Sequence, residues 1–468
     1  MSARLLIVAL ALLNAAPALA QNISTKASGV DETSGQILID RLPPAGSVVG
    51  ERTTPVVNLT EWRLSNGARV LVKPTRLKAG EVLFMAYSPG GSSLVNDADY
   101  MSATLAPNIL KLGGLGRYDQ AALNGRLIGR NASVSATIGS TSEELSGSAE
   151  AGDLETLFEL VHLTFTSPRL DAAAFRNWKN RVTGSLGSRN AQAVFGDSVT
   201  LTMAQHHLRA RPLTASVFNE ADPARALAIY KDRFADAGDF TFVFVGDVNL
   251  PTLKSLSERY LANLPATGRT ETWKDVEPVA PGGVIEKTVR AGSARTATTQ
   301  IYFHGPFQYS PQNRVVMRAM IELLQNKLGA LRAQTGGHFP TVQGGPSRIP
   351  RGEYLIRIEY DAAPENVDKL AQSVLSVIDS LKTKGPTAVD MDLVREQMAR
   401  THAANLQNNT FWLNNIAARD QAGEDPAGLL APYQDMIQKL TAAAIKQAAQ
   451  RYFDTGNFAK FLLLPAAR

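Results

Sequence analysis

The octapeptides RFADAGDF, residues 233–240, and RYFDTGNF, residues 451–458, share Arg, an aromatic ring, Asp, Gly, an Asp or Asn, and Phe in the same order. They stand 218 residues apart (451 − 233). Each runs into an apolar segment, TFVFVG in one case and AKFLLLP in the other, so each marks the entrance to a buried strand. Three other places keep the same offset: VLFMAY (82–87) falls on QIYFHG (300–305), Pro168 on Pro386, and Asn190 on Asn408. One offset held at four separated places indicates internal duplication. The chain reads as two copies of one unit.

Both copies follow one plan. The first opens on EWRLSNGARVLVKP, whose Asn66-Gly67 pair is a strong hairpin signal, and EVLFMAYS follows as a further strand. A helix comes next, within DADYMSATLAPNILKL in the first copy and NRVVMRAMIELLQNKLGALRA in the second. Further strands, EELSGSAEA and EYLIRIEYD, are each followed by an amphipathic helix; Val367, Leu370, Val374, Leu375 and Ile378 recur at helical spacing. Strands joined mainly as hairpins, with helices covering one face, define an α+β class of two tandem homologous domains, each a mostly antiparallel sheet. The expected boundaries are 58–265 and 284–468, joined by a Pro- and Gly-containing linker at 266–283 and preceded by a loose leader at 21–57.

The first 20 residues, MSARLLIVALALLNAAPALA, carry one basic residue, a short apolar run and a closing Ala18-Leu19-Ala20. That pattern predicts a removable export signal, and hence a periplasmic protein with no membrane span in its mature form. There is no cysteine in 468 residues, which excludes disulfides, thiolate metal sites and cysteine nucleophiles. The formal charge of +5 is spread along the chain, without the basic-aromatic clustering of nucleic-acid binders. No phosphate-loop or Gly-x-Ser-x-Gly motif occurs.

The duplicated α+β plan, with LSNGARVLVKP, AYSPGGSSL, FTFVFVGDVNL and FHGPFQYSPQNRVV, resembles the insulinase/pitrilysin-type metallopeptidases, and in particular the non-zinc half of their large single-chain members. The resemblance covers nearly everything after residue 58. In that family the catalytic half carries His-x-x-Glu-His on its first helix, because residues i and i+4 bring two imidazoles to one zinc ion and the Glu between activates water. Here the resemblance places Thr104, Pro107 and Asn108 at the His, Glu and His positions. The six histidines, His162, His206, His207, His304, His338 and His402, include no i, i+4 pair. The resemblance therefore implies no zinc and no other cofactor in this chain, with zinc expected only in a partner subunit.

The non-zinc half of the family supplies an Arg and a Tyr, seven residues apart, that support the substrate carbonyl and the oxyanion. In LRAQTGGHFPTV (331–342), Arg332 matches the arginine and Phe339 the tyrosine, its hydroxyl lost. From the residues alone, Arg332 reads as a solvated arginine at a helix C-terminus and Phe339 as an ordinary buried strand residue. His338 beside it is expected to point the opposite way. The resemblance implies an exported, zinc-less subunit that pairs with a zinc-bearing homologue to enclose and cut peptides. A peptide-binding or scaffold protein outside proteolysis is the alternative, and an independent hydrolase built from unrelated residues is a third.

Overall fold

The computed structural model describes residues 38–41, 44–293, 295–331 and 340–466. Twelve named strands form two sheets among these residues. In the first half they are β1 (Val48–Thr54), β2 (Leu59–Leu64), β3 (Arg69–Pro74), β4 (Glu81–Pro89), β5 (Ala132–Ile138), β6 (Ser142–Glu150) and β7 (Thr241–Gly246). The second half holds β8 (Val284–Arg290), β9 (Ala297–Pro306), β10 (Thr341–Ser347), β11 (Glu353–Ala362) and β12 (Phe458–Leu464). The first sheet runs β1-β2-β3-β7-β4-β6-β5 and the second β10-β11-β9-β12-β8.

Read from the opposite end, the second sheet is β8-β12-β9-β11-β10, matching β3-β7-β4-β6-β5 strand for strand. One parallel pair occurs in each sheet, β3 with β7 and β8 with β12, at equivalent places. All other pairings are antiparallel. The duplication read from the 218-residue offset is thus present as topology. The Asn66-Gly67 turn joins β2 to β3 as expected, with Gly67 at φ 95°, where a side chain would be strained.

Each half covers one face of its sheet with its own helices. In the first, α1 (Tyr100–Lys111) and α2 (Leu154–Thr166) pack Leu105, Ile109, Leu157 and Phe158 onto Val70, Phe84, Phe242 and Phe244, and α4 (Pro223–Arg233) adds Ala226 and Ile229 to the same core. Phe158 stacks on Phe244 at 5.2 Å. In the second, α5 (Pro311–Gly329) and α6 (Val367–Thr383) bury Met320, Leu324, Val374 and Ile378 against Ile301, Phe303 and Ile356.

The opposite faces are covered by an exchange. Helix α3 (Ala191–Met203), from the first half, lays Phe195, Val199 and Met203 on Tyr302, Phe461 and Leu463 of the second sheet. Helix α7 (Asn409–Ala422), from the second half, lays Trp412, Leu413, Ile416 and Ala417 on Leu71, Val243 and Val245 of the first. Asn190 and Asn408, matched by the offset, are the N-caps of these two helices, each side chain accepting backbone N–H groups of the first turn. Every residue of β7 is buried because its even positions meet the helices of its own half and its odd positions meet α7.

One expectation needs revision. Val48–Thr54, inside the stretch read as a loose leader, forms the edge strand β1 on β2. Its residues are exposed on both sides, so no alternation announces the strand; backbone pairing alone makes it. The linker at 266–283 has no helix or strand but is tied to both halves, through Glu271 to Arg233 and through Asp275 to Arg351. No helix among the described residues is long and apolar enough to cross a membrane.

Candidate functional site

Thr104, Pro107 and Asn108 lie on one half-exposed face of α1, since positions i, i+3 and i+4 of a helix are neighbours. Thr104 Oγ1 donates to the carbonyl of Tyr100 at 3.1 Å, so its hydroxyl serves the helix. Pro107 sits inside the helix and leaves the Ala103 carbonyl without its helical N–H donor. A hydroxyl, a proline ring and an amide share the face, and none supplies the carboxylate or imidazole a zinc ion requires. Among the described residues, no group of three or more His, Cys, Asp or Glu side chains is placed to hold a metal ion.

The chain enters α1 through a tightly fastened loop. Gly91, at φ 63°, approaches the next hairpin so closely that a Cβ would lie 2.5 Å from the Gly139 carbonyl oxygen. Its N–H donates to buried Glu143 at 2.5 Å, and Arg233 stands 3.7 Å from the same carboxylate. Burial pushes the Glu143 carboxyl up to about 8, against the pull of the Gly91 N–H and of Arg233. Arg209 completes the clamp, donating to the Ser92 carbonyl at 2.8 Å and the Val95 carbonyl at 2.7 Å while pairing with Asp97. The first residue of the repeat motif, Arg233, therefore helps position the entry to α1.

Beside α1 runs β5, an outer edge of the first sheet, and residues of the helix pack beneath it. Its sequence, ASVSATI, contains no charge, proline or glycine. The other three edges carry features that discourage pairing. Glu51 and Arg52 lie on β1 beside a register shift, Lys287 and Arg290 on β8, and Gly344-Gly345-Pro346 on β10. An undefended edge can accept an extended peptide as an added strand.

The described histidines do not converge on a common metal site. His162 is buried with Nδ1 3.0 Å from the Tyr260 carbonyl, and His402 packs at a tilt against Tyr433, ring centroids 4.4 Å apart. His207 Nδ1 accepts the Arg209 N–H. Burial lowers the pKa of His162, His304 and His402. Arg332, His338 and Phe339 lie outside the described residues.

A polar cluster that sequence reading missed spans the two halves. Arg69 of β3 makes two hydrogen bonds to Asp420 of α7, at 2.7 and 3.1 Å, and Tyr87 of β4 donates to the same carboxylate at 2.6 Å. Burial opposes the charge on Arg69, but Asp420 and Glu61 together outweigh it and hold its pKa above the ordinary value. Burial first, and then Asp420, raise the pKa of the Tyr87 phenol. Nearby, Lys73 donates to the Val57 carbonyl and lies 3.9 Å above the ring of Trp412. Burial pushes its ammonium down to about 8. Asp420 and Trp412 stand more than 300 residues from the Arg69, Tyr87 and Lys73 side chains they meet, and nothing local signals these contacts.

Comparison with known proteins agrees with this architecture. A family model described as "Peptidase M16 inactive domain" matches residues 222–398. A Haemophilus influenzae protein named probable zinc protease PqqL is 22% identical over 433 residues, covering 91% of this chain and 46% of that protein. An Arabidopsis thaliana protein named zinc protease PQQL-like is 24% identical, covering 82% of this chain and 40% of its own length. The chain thus spans less than half the length of these curated relatives. The crystal structure of the periplasmic protease PqqL from Escherichia coli superposes with a TM-score of 0.75 at 19% identity, over 94% of this chain and 49% of that one. A peptidase M16 inactive domain from Pseudomonas fluorescens gives 0.68 at 17%, over 88% of this chain and 99% of that one. At such identities the structural likeness concerns the fold.

Duplicated fold and sequence likeness define a peptidase homologue. The chain is similar in sequence and fold to the M16, insulinase/pitrilysin-type metallopeptidases, and over residues 222–398 to their inactive domain.

Proposed function

We propose that the chain is an exported, zinc-less subunit that completes a peptide-cutting chamber with a separate, zinc-bearing homologue. The observation that carries this reading is α1, which keeps its place in an intact two-domain fold while presenting Thr104, Pro107 and Asn108. The matched relatives named as zinc proteases are more than twice as long as the region they share with this chain, which is consistent with one half of a two-half enzyme. The undefended β5 edge beside α1 supplies a place for an extended peptide. Arg332 would support the transition state inside the partnered complex, and Phe339 would pack against substrate without donating a hydrogen bond. Export to the periplasm follows from the N-terminal pattern.

Affinity purification of the tagged chain from its own cells tests the pairing. Recovery with a stoichiometric zinc-bearing homologue is expected; recovery as a stand-alone monomer contradicts it. The missing Phe339 hydroxyl favours a second reading, a peptide-binding scaffold outside proteolysis. Phe339→Tyr in the reconstituted complex separates the two. A rise in peptide turnover supports the chamber subunit, and unchanged turnover with tight peptide binding supports the scaffold.

A further inference from the structure

We infer that the exchange of α3 and α7 locks the two halves into one cooperative unit, so that the linker is dispensable as a covalent tie. Phe195, Val199 and Met203 are between 1% and 3% exposed, and the surface that buries them belongs to the other half. Trp412 and Ile416 are buried in the same way on the first sheet. Withdrawing either helix uncovers apolar surface on both the helix and the sheet it leaves, so neither half keeps a complete core alone.

Polar contacts fix the register of the exchange. Asp420 of α7 meets Arg69 and Tyr87. Asn409 donates to Glu81 at 2.9 Å and accepts from Thr75 at 2.7 Å. On the other side Lys287 donates to Thr202 of α3 at 3.1 Å. Glu271 ties the linker to buried Arg233 within the first half, and the linker reaches the second half through the partly exposed pair of Asp275 with Arg351, a kind of pair that contributes little. Association therefore resides in the exchanged helices.

A protease recognition sequence inserted between Pro281 and Gly282 of the full chain tests this. After complete cleavage, the two fragments are expected to co-elute at the mass of the intact protein and to unfold in one calorimetric transition. Separation of the fragments, or two transitions, overturns the inference. Phe195→Ala with Trp412→Ala in the same protein provides a second measurement. The uncut variant is checked for native circular dichroism, and the cut variant is expected to separate. If the cut variant stays associated as firmly as the unsubstituted one, the exchanged helices are not what holds the halves together. If the uncut variant cannot fold, the single Trp412→Ala change is read in the same way.

Discussion

At the scale of residues, the contact between the halves depends on Asp420, which accepts from both Arg69 and Tyr87. Removing a half-buried carboxylate leaves the phenol without this acceptor and the guanidinium with Glu61 as its remaining carboxylate, so Asp420→Ala is expected to cost about 2–4 kcal/mol in urea denaturation. Adding Tyr87→Phe should return part of that loss, since one stranded donor disappears. A cost below about 0.5 kcal/mol would mark the contact as no more than an exposed ion pair. The buried histidines make a separate prediction about acid. His162, His304 and His402 have pKa values depressed by burial, so below about 6.5 the unfolded chain takes up protons that the folded chain refuses. Their contribution to stability is complete above that pH and is lost as the pH falls. Midpoints measured between pH 7.5 and 5.5 should decline, and replacing the three by Gln or Leu should flatten the slope. An unchanged slope would contradict the assignment.

At the scale of elements, α1 and β5 carry the functional reading. Pro107 interrupts the hydrogen-bond ladder of α1. Pro107→Ala restores an N–H for the Ala103 carbonyl and is expected to stabilise the protein by about 1–3 kcal/mol in thermal or chemical melts. A loss would mean that the surroundings have adapted to the proline ring. On β5, Ser135→Lys places a charge on an exposed position of the undefended edge. It should weaken binding of extended peptides at least tenfold with little change in melting temperature; unchanged affinity would move the peptide elsewhere. Some of this was legible beforehand. The hairpin at Asn66-Gly67 and the helix holding Thr104, Pro107 and Asn108 follow from local chemistry. Strand β1 was not legible, because VVGERTT has no buried side and only pairing with β2 makes it a strand. The α1 entry clamp was hidden too, since Glu143, Arg209 and Arg233 converge only after folding.

At the scale of the whole molecule, the recurrence of RFADAGDF as RYFDTGNF anticipated two sheets with one strand order. The match of Asn190 with Asn408 gave no hint that the helices they cap would each cross to the other half. That crossing depends on which sheet face each half leaves uncovered, a property of the assembled chain. Arg332 and Phe339 rest on resemblance, and their roles belong to a complex with a second chain. The proposed subunit role therefore turns on whether this chain can perform hydrolysis by itself. The most direct measurement is metal content together with peptide cleavage on the purified chain, before and after adding a zinc-bearing homologue. Neither stoichiometric zinc nor turnover is expected from the chain alone, with turnover appearing once the homologue is present. Stoichiometric zinc and unaided cleavage by the isolated chain would contradict the account.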